Sequence, residues 1–256
     1  MAVVTFTSDF GLADAYAGAM KGVVLSLAPD AVLVDITHEV PRRDVAAGAL
    51  ALAQAAPYFP SGSVHVAVVD PGVGGERAGL VIEAGGRTFV GPDNGVLSLA
   101  TRSPRCVYRI ENPGFRRDPV SPTFHGRDIF AVTAGRLAGG SPAKDAGPPM
   151  PAIVELPGLE DGPLEGECRG RVVHVDAFGN LVTSLGPGRT EGRWQLRHAD
   201  RRFELRGGRT FSDVAAGELV LYEGSSGRIE IAVRDGSAAA QTGAQTGAKL
   251  ELRRLS

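Results

Sequence analysis

Three apolar runs of strand length, residues 3–7, 32–37 and 64–69, alternate with stretches of helical spacing, and polar or turn-forming residues follow each run. Between the first two, Tyr16, Met20, Val23, Val24 and Leu27 recur at intervals suited to one helix face and stop before Pro29. Residues 44–56, rich in small side chains, predict a second helix that ends before Pro57, and residues 128–137 predict another, closed by Gly139-Gly140. Residues 80–83 and 88–90 read as a hairpin around Ala84-Gly85-Gly86. Parallel strands cannot be joined by a tight turn, so a helix must carry the chain back between them. The alternation therefore predicts an α/β domain with a largely parallel central sheet over residues 1–148.

The texture changes across residues 146–166, which hold five prolines and no helical period. Residues 149–167 read as a Pro/Gly-rich linker. Beyond it, strand signals at 171–175, 181–184, 194–196, 218–222 and 229–233 are separated by Gly-rich turns, with no convincing helix. Residues 168–256 thus predict a smaller all-β, barrel-like domain. The A-Q-T-G pair within 238–248 reads as a flexible loop.

A net charge of −2 is close to neutral and does not suggest a nucleic-acid partner. The most apolar stretch, 45–56, is too short to span a bilayer, and the first residues carry no basic leader, so a cytoplasmic protein is expected. Cys106 and Cys168 lack the spacing of a zinc site, and acids and histidines do not cluster, so no metal is expected.

In parallel α/β sheets, ligands bind beyond the carboxyl ends of the strands. Asp9 and Asp70 both fall there. Each has a structural alternative: Asp9 as a helix N-cap, and Asp70-Pro71-Gly72 as a turn closed by the Asp side chain. His125 opens the 128–137 helix, where the helix dipole would favour a neutral imidazole; capping or packing is the alternative. His65 and His174 sit inside strand runs and read as structural, while His38 and His198 have no chemical neighbours at telling spacing. Asp176, Phe178 and Asn180 lie two apart and would share one face of an extended strand. An acid, an aromatic ring and an amide suit a nucleoside with an attached ammonium; a tight hairpin at Phe178-Gly179-Asn180 is the alternative.

Taken in order, these stretches resemble one family, the S-adenosylmethionine hydroxide adenosyltransferases, or S-adenosylmethionine hydrolases, relatives of fluorinases and chlorinases. The likeness is carried by T-S-D-F-G-L-A-D (7–14), V-D-P-G-V-G-G-E-R (69–77), G-P-D-N-G-V-L (91–97), F-H-G-R-D-I-F (124–130) and V-D-A-F-G-N-L-V-T (175–183). S-S-G-R-I-E-I-A-V (225–233) matches more loosely. The resemblance implies attack of water or hydroxide on ribose C5′ of S-adenosyl-L-methionine, releasing adenosine and L-methionine, with no cofactor. It assigns Asp70, Arg77 and His125 to the water, a trio that favours water over halide. It assigns Asp9 to the ribose diol and Asp176 to the methionine ammonium, helped by Asp14 and Tyr16. Phe178 and Asn180 would take adenine, Ser225 and Ser226 the carboxylate, and Thr123 would line the pocket near C5′. It further implies a homotrimer with each active site at a subunit interface. Two positions depart from the family pattern: Arg43 stands where relatives carry an aromatic, and Ser226 where some carry Arg. The competing readings are a binding module for S-adenosylmethionine or adenosine with little turnover, and a halide-dependent enzyme.

Overall fold

The computed structural model describes residues 1–102, 105–156, 159 and 161–255. Contacts divide the chain into two compact units, Met1–Leu156 and Pro157–Ser256. Of the linker expected at 149–167, residues 157, 158 and 160 lie outside the described residues. Met150 and Ile153 pack against the core of the first unit.

The first unit is built on strands β1 (Val3–Ser8), β2 (Val32–Thr37), β3 (Val64–Val68), β4 (Gly79–Ala84), β5 (Arg87–Pro92) and β6 (Arg105–Arg109). Their order is β2-β1-β3-β5-β4-β6. The first four in that order run parallel, and β4 pairs antiparallel with both β5 and β6. Helices α1 (Tyr16–Leu27), α2 (Val45–Ala55) and α3 (Ala131–Ala138) cover the sheet. Alternation along β3 sorts the two layers. Val64, Val66 and Val68 join Met20 and Val24 of α1 and Ala131 and Ala134 of α3 in one core. Ala67, with Val69 just beyond the strand, joins Ala47 and Leu52 of α2 in the other. A strand buried on both faces is what a helix-covered parallel sheet requires.

The helix expected at 128–137 is a π turn over Gly126–Phe130 running into α3. Strand β6 carried no sequence signal, because arginines at both its ends mask an edge strand with one buried valine, Val107.

His65 lies fully buried on β3, stacked on Phe89 with ring centroids 5.0 Å apart. Its Nδ1 is 2.7 Å from Thr5 Oγ1. Burial, with Arg87 adding, pushes its pKa down to about 4. The unfolded chain takes up this proton near pH 6.5 and the native state does not, so stability falls as pH drops from 6.5 towards 4. At pH 4.5 the deficit is about 2–3 kcal/mol. A Thr5→Val/His65→Leu double variant should show a correspondingly shallower acid limb in urea unfolding at pH 7 and 4.5.

In the second unit, β7 (Pro163–Leu164) pairs with β10 (Gly186–Gly188). Seven further strands close a barrel: β8 (Glu167–Val175), β9 (Leu181–Thr183), β11 (Gly192–His198), β12 (Arg201–Gly207), β13 (Leu219–Glu223), β14 (Ile229–Val233) and β15 (Lys249–Arg254). Trp194, Leu196, Leu221, Ile229, Ile231, Leu250 and Leu252 fill its interior. The stretch read as a flexible loop contains a short helix, α4 (Ala238–Thr242). Ser237 Oγ caps it by accepting from Ala240 N, and Gly243 ends it with φ +76°.

Candidate active site

The chain leaves β1 for β2 on one side, then crosses back to β3 on the other, so their carboxyl ends diverge and a crevice opens there. Asp9 follows β1 and Asp70 lies two residues beyond β3. A cavity of about 450 Å³ at this place is lined by Asp9, Asp14, Tyr16, Asp70, Thr123 and His125, all expected from the sequence. Arg42, Arg43, Phe10 and Phe124 line it as well. Phe10, Tyr16 and Phe124 form an aromatic wall, Tyr16 meeting Phe124 edge-on at 5.2 Å. Phe10 and Phe124 stood inside the motifs, but nothing in their spacing says that their rings face a cavity.

The helix-cap alternative for Asp9 does not hold, since α1 begins at Tyr16 with Ala15 as N-cap. Asp9 Oδ2 instead accepts from Arg43 N at 2.8 Å, and Arg43 takes a left-handed φ of +66°. Asp70 also departs from its turn alternative. The turn is closed by backbone, Val73 N to Asp70 O, and the side chain is engaged by Arg77.

Arg77 Nε donates to Asp70 Oδ1 at 3.1 Å and Oδ2 at 3.0 Å, and Nη2 also donates to Oδ2. The same Nη2 lies 2.7 Å from His125 Nδ1, and the guanidinium sits 5.2 Å from the Phe130 ring centroid. One planar cation thus holds an acid and an imidazole in fixed relation. A guanidinium only donates, so Nδ1 accepts and the ring proton resides on Nε2. Burial first, then the Arg77 charge, lowers the His125 pKa below 6.5, against smaller opposing effects from Asp70 and Asp128. The imidazole is therefore neutral at neutral pH.

Loop chemistry makes this meeting possible. A Cβ at Gly74 would lie 2.5 Å from Pro122 O, and Gly74 has φ +79°, so only glycine lets loop 70–77 lie against loop 121–125. The second loop is tied by Asp128, fully buried, which accepts from Ser121 N at 2.9 Å and from Arg127 Nε at 2.7 Å. Asn94, from the 91–97 motif, donates to Val69 O at 2.8 Å and steadies the backbone just before Asp70.

In the barrel unit, residues 176–180 are not an extended strand sharing one face. They form a turn between β8 and β9, with Gly179 at φ +82°. Asp176 closes it, Oδ1 accepting from Phe178 N and Asn180 N and Oδ2 from Asn180 Nδ2 at 2.8 Å. Three donors to one carboxylate outweigh the extended conformation there. Asn180 is consequently buried, whereas Phe178 is 80% exposed. Ser225 and Ser226 lie in the turn between β13 and β14, and Ser226 Oγ is buried without a hydrogen-bond partner among the described residues. Glu230, not singled out from sequence, accepts from Tyr222 Oη at 2.8 Å. Burial pushes its carboxyl up, and the nearby Asp176 charge adds to the rise against the Tyr222 bond.

A doubly wound α/β unit with polar side chains converging on its switch point, followed by a closed barrel, defines a protein that handles a small molecule at strand ends. Residues 4–147 match the N-terminal domain, and residues 170–251 the C-terminal domain, of the SAM hydroxide adenosyltransferases. The chain belongs to this family. It is 41% identical to a Salinispora tropica protein named (R)-S-adenosyl-L-methionine hydrolase, covering 97% of each chain. A protein of the same name from Thermus thermophilus is 40% identical, covering 98% of this chain and 100% of the relative. A crystal structure of an uncharacterized conserved protein from Thermotoga maritima superposes with a TM-score of 0.91 at 32% identity, covering 98% of this chain and 100% of that one.

Proposed function

We propose that this chain hydrolyses S-adenosyl-L-methionine to adenosine and L-methionine by attack of water on ribose C5′. The observation that carries this reading is the Asp70–Arg77–His125 constellation beside a cavity at the strand ends. Free hydroxide at pH 7 would cost roughly 12 kcal/mol, given a water pKa near 15.7. One neutral imidazole and one carboxylate do not supply that in the ground state, so proton loss accompanies attack. The water oxygen bonds to C5′ as the C5′–S pair leaves on sulfur, turning the sulfonium into a neutral thioether that needs no acid.

The proton goes to Asp70. Arg77 occupies the only basic nitrogen of His125, which therefore offers Nε2–H to orient the water rather than a lone pair to deprotonate it. A carboxylate has about four acceptor directions, so Asp70 can hold Arg77 and still accept from water. Asp9 would hold the ribose diol, with Asp14 and Tyr16 beside the methionyl group and Thr123 near C5′. Asp176, Phe178, Asn180, Ser225 and Ser226 would serve ammonium, adenine and carboxylate.

The names of the relatives specify the (R) sulfonium epimer, and the same preference is proposed here, as is metal-independent action in the cytoplasm. We also propose a homotrimer in which one subunit's barrel unit completes the next subunit's cavity. The exposed Phe178, and Leu12 at 66% exposure, support it as apolar side chains open to solvent in the single chain.

The test incubates the protein with resolved (R) and (S) epimers in oxygen-18 water containing a chelator, without halide. Adenosine carrying the heavy oxygen at C5′, formed faster from the (R) epimer, is expected. Intact bound ligand without adenosine would instead establish a binding module.

A further inference from the structure

A hydrogen-bonded chain outside the cavity runs from the surface of the first unit to the residue before Asp9. Lys21 Nζ, on α1, donates to Asp35 Oδ2 at 2.6 Å, and Asp35 Oδ1 lies 3.0 Å from His38 Nε2. His38 Nδ1 in turn lies 2.7 Å from Ser8 Oγ. Burial alone would raise the Asp35 carboxyl, but the Lys21 and His38 hydrogen bonds hold it below the usual carboxylate range. It is therefore an ionised acceptor, to which His38 donates from Nε2. With the imidazole neutral, Nδ1 accepts from the Ser8 hydroxyl, and Ser8 Oγ in turn accepts from Phe10 N at 3.3 Å.

The order Ser–His–Asp is that of a nucleophilic triad, but Ser8 is 1% exposed and does not line the cavity. A nucleophile must reach its substrate, and this one cannot. What the chain does reach is the segment that carries Asp9. Ser8 Oγ holds Phe10 N, His38 O accepts from Gly11 N at 2.8 Å, and Ser8 O accepts from Val40 N at 3.2 Å. Asp9 is thus flanked by residues pinned to the end of β2, and its own carboxylate is held from the third side by Arg43 N.

We infer that Asp35, His38 and Ser8 are positioning residues that set the Asp9 carboxylate in the cavity. The inference rests on the reading above, in which Asp9 binds the substrate ribose. A side chain locked by its supporting hydrogen bonds binds without the cost of being ordered at each encounter, so loosening it weakens substrate binding rather than the chemical step.

Asp35 is the point to test, because it is partly exposed and far along the chain from Asp9. The experiment measures KM and kcat for S-adenosyl-L-methionine by adenosine release in four variants: Asp35→Ala, Asp35→Asn, Asp9→Asn, and Asp9→Asn with Asp35→Ala. Asp35→Ala should raise KM about three- to tenfold, with kcat changed less than about twofold. Asp35→Asn keeps an oxygen for His38 Nε2–H while losing the Lys21 ion pair, and should restore KM. In the Asp9→Asn background, Asp35→Ala should raise KM no further. If Asp35→Ala lowers the melting temperature alone, or its KM effect multiplies fully onto that of Asp9→Asn, the positioning inference is overturned and the ribose reading stands. If Asp9→Asn itself keeps the wild-type KM, the ribose reading fails and the inference falls with it.

Discussion

Replacing Asp70 by Asn should lower kcat about 10²–10⁴-fold, the usual worth of a general base, with KM within a few-fold of wild type. The amide keeps the shape of the carboxylate and one oxygen for Arg77, so the loop and the cavity persist. It cannot accept the proton that water must lose. The ordering of variants then separates the roles in the constellation. His125→Asn removes an orienting donor and should cost about tenfold, the range of one hydrogen bond. A larger loss at His125 than at Asp70 in single-turnover assays would reverse the assignment and make the imidazole the base.

Arg77→Met should both unfold and inactivate the protein more readily. Asp70 is 5% exposed at its side chain and Arg77 12%, so methionine leaves a buried carboxylate with its counter-charge gone. Removing one partner of a buried pair costs about 3–5 kcal/mol. In a chain of this length that lowers the melting temperature on the order of 10 °C. Turnover should fall as well, because the imidazole loses the donor that selects its tautomer. Arg77→Lys should recover part of the stability and little of the turnover, since an ammonium cannot span Asp70 and His125 with the planar fork of a guanidinium. Calorimetry and kcat measured on the two variants check both halves. A lysine variant with wild-type turnover would show that charge alone suffices.

The strand–helix alternation over the first half of the chain, and the loss of helical period beyond the Pro-rich stretch, are legible locally. Period and turn chemistry are properties of neighbouring residues. The placement of Asp9 and Asp70 just past strand ends, where a parallel sheet opens its crevice, is equally legible. Strands β12 and β15 are not legible locally, although Phe203, Leu205, Leu250 and Leu252 alternate with charged residues. Their apolar faces are two residues wide, too short to stand out among arginines. The turn at 176–180 was legible only as one of two alternatives, since a carboxylate two residues before a backbone N–H suits both a turn and a strand face.

Which histidine matters was decided by tertiary structure. His38, without telling neighbours in the sequence, meets Ser8 thirty residues away; His65, read as structural, meets Thr5 across sixty; and His125 meets Arg77 across forty-eight. The sequence by itself determined the strand–helix alternation of the first unit, the loops where chemistry could sit and the residue types available there. The order β2-β1-β3-β5-β4-β6 decided which of those side chains touch. Sheet order is settled by burying two apolar faces at once, a condition on the whole unit that no short window of residues contains.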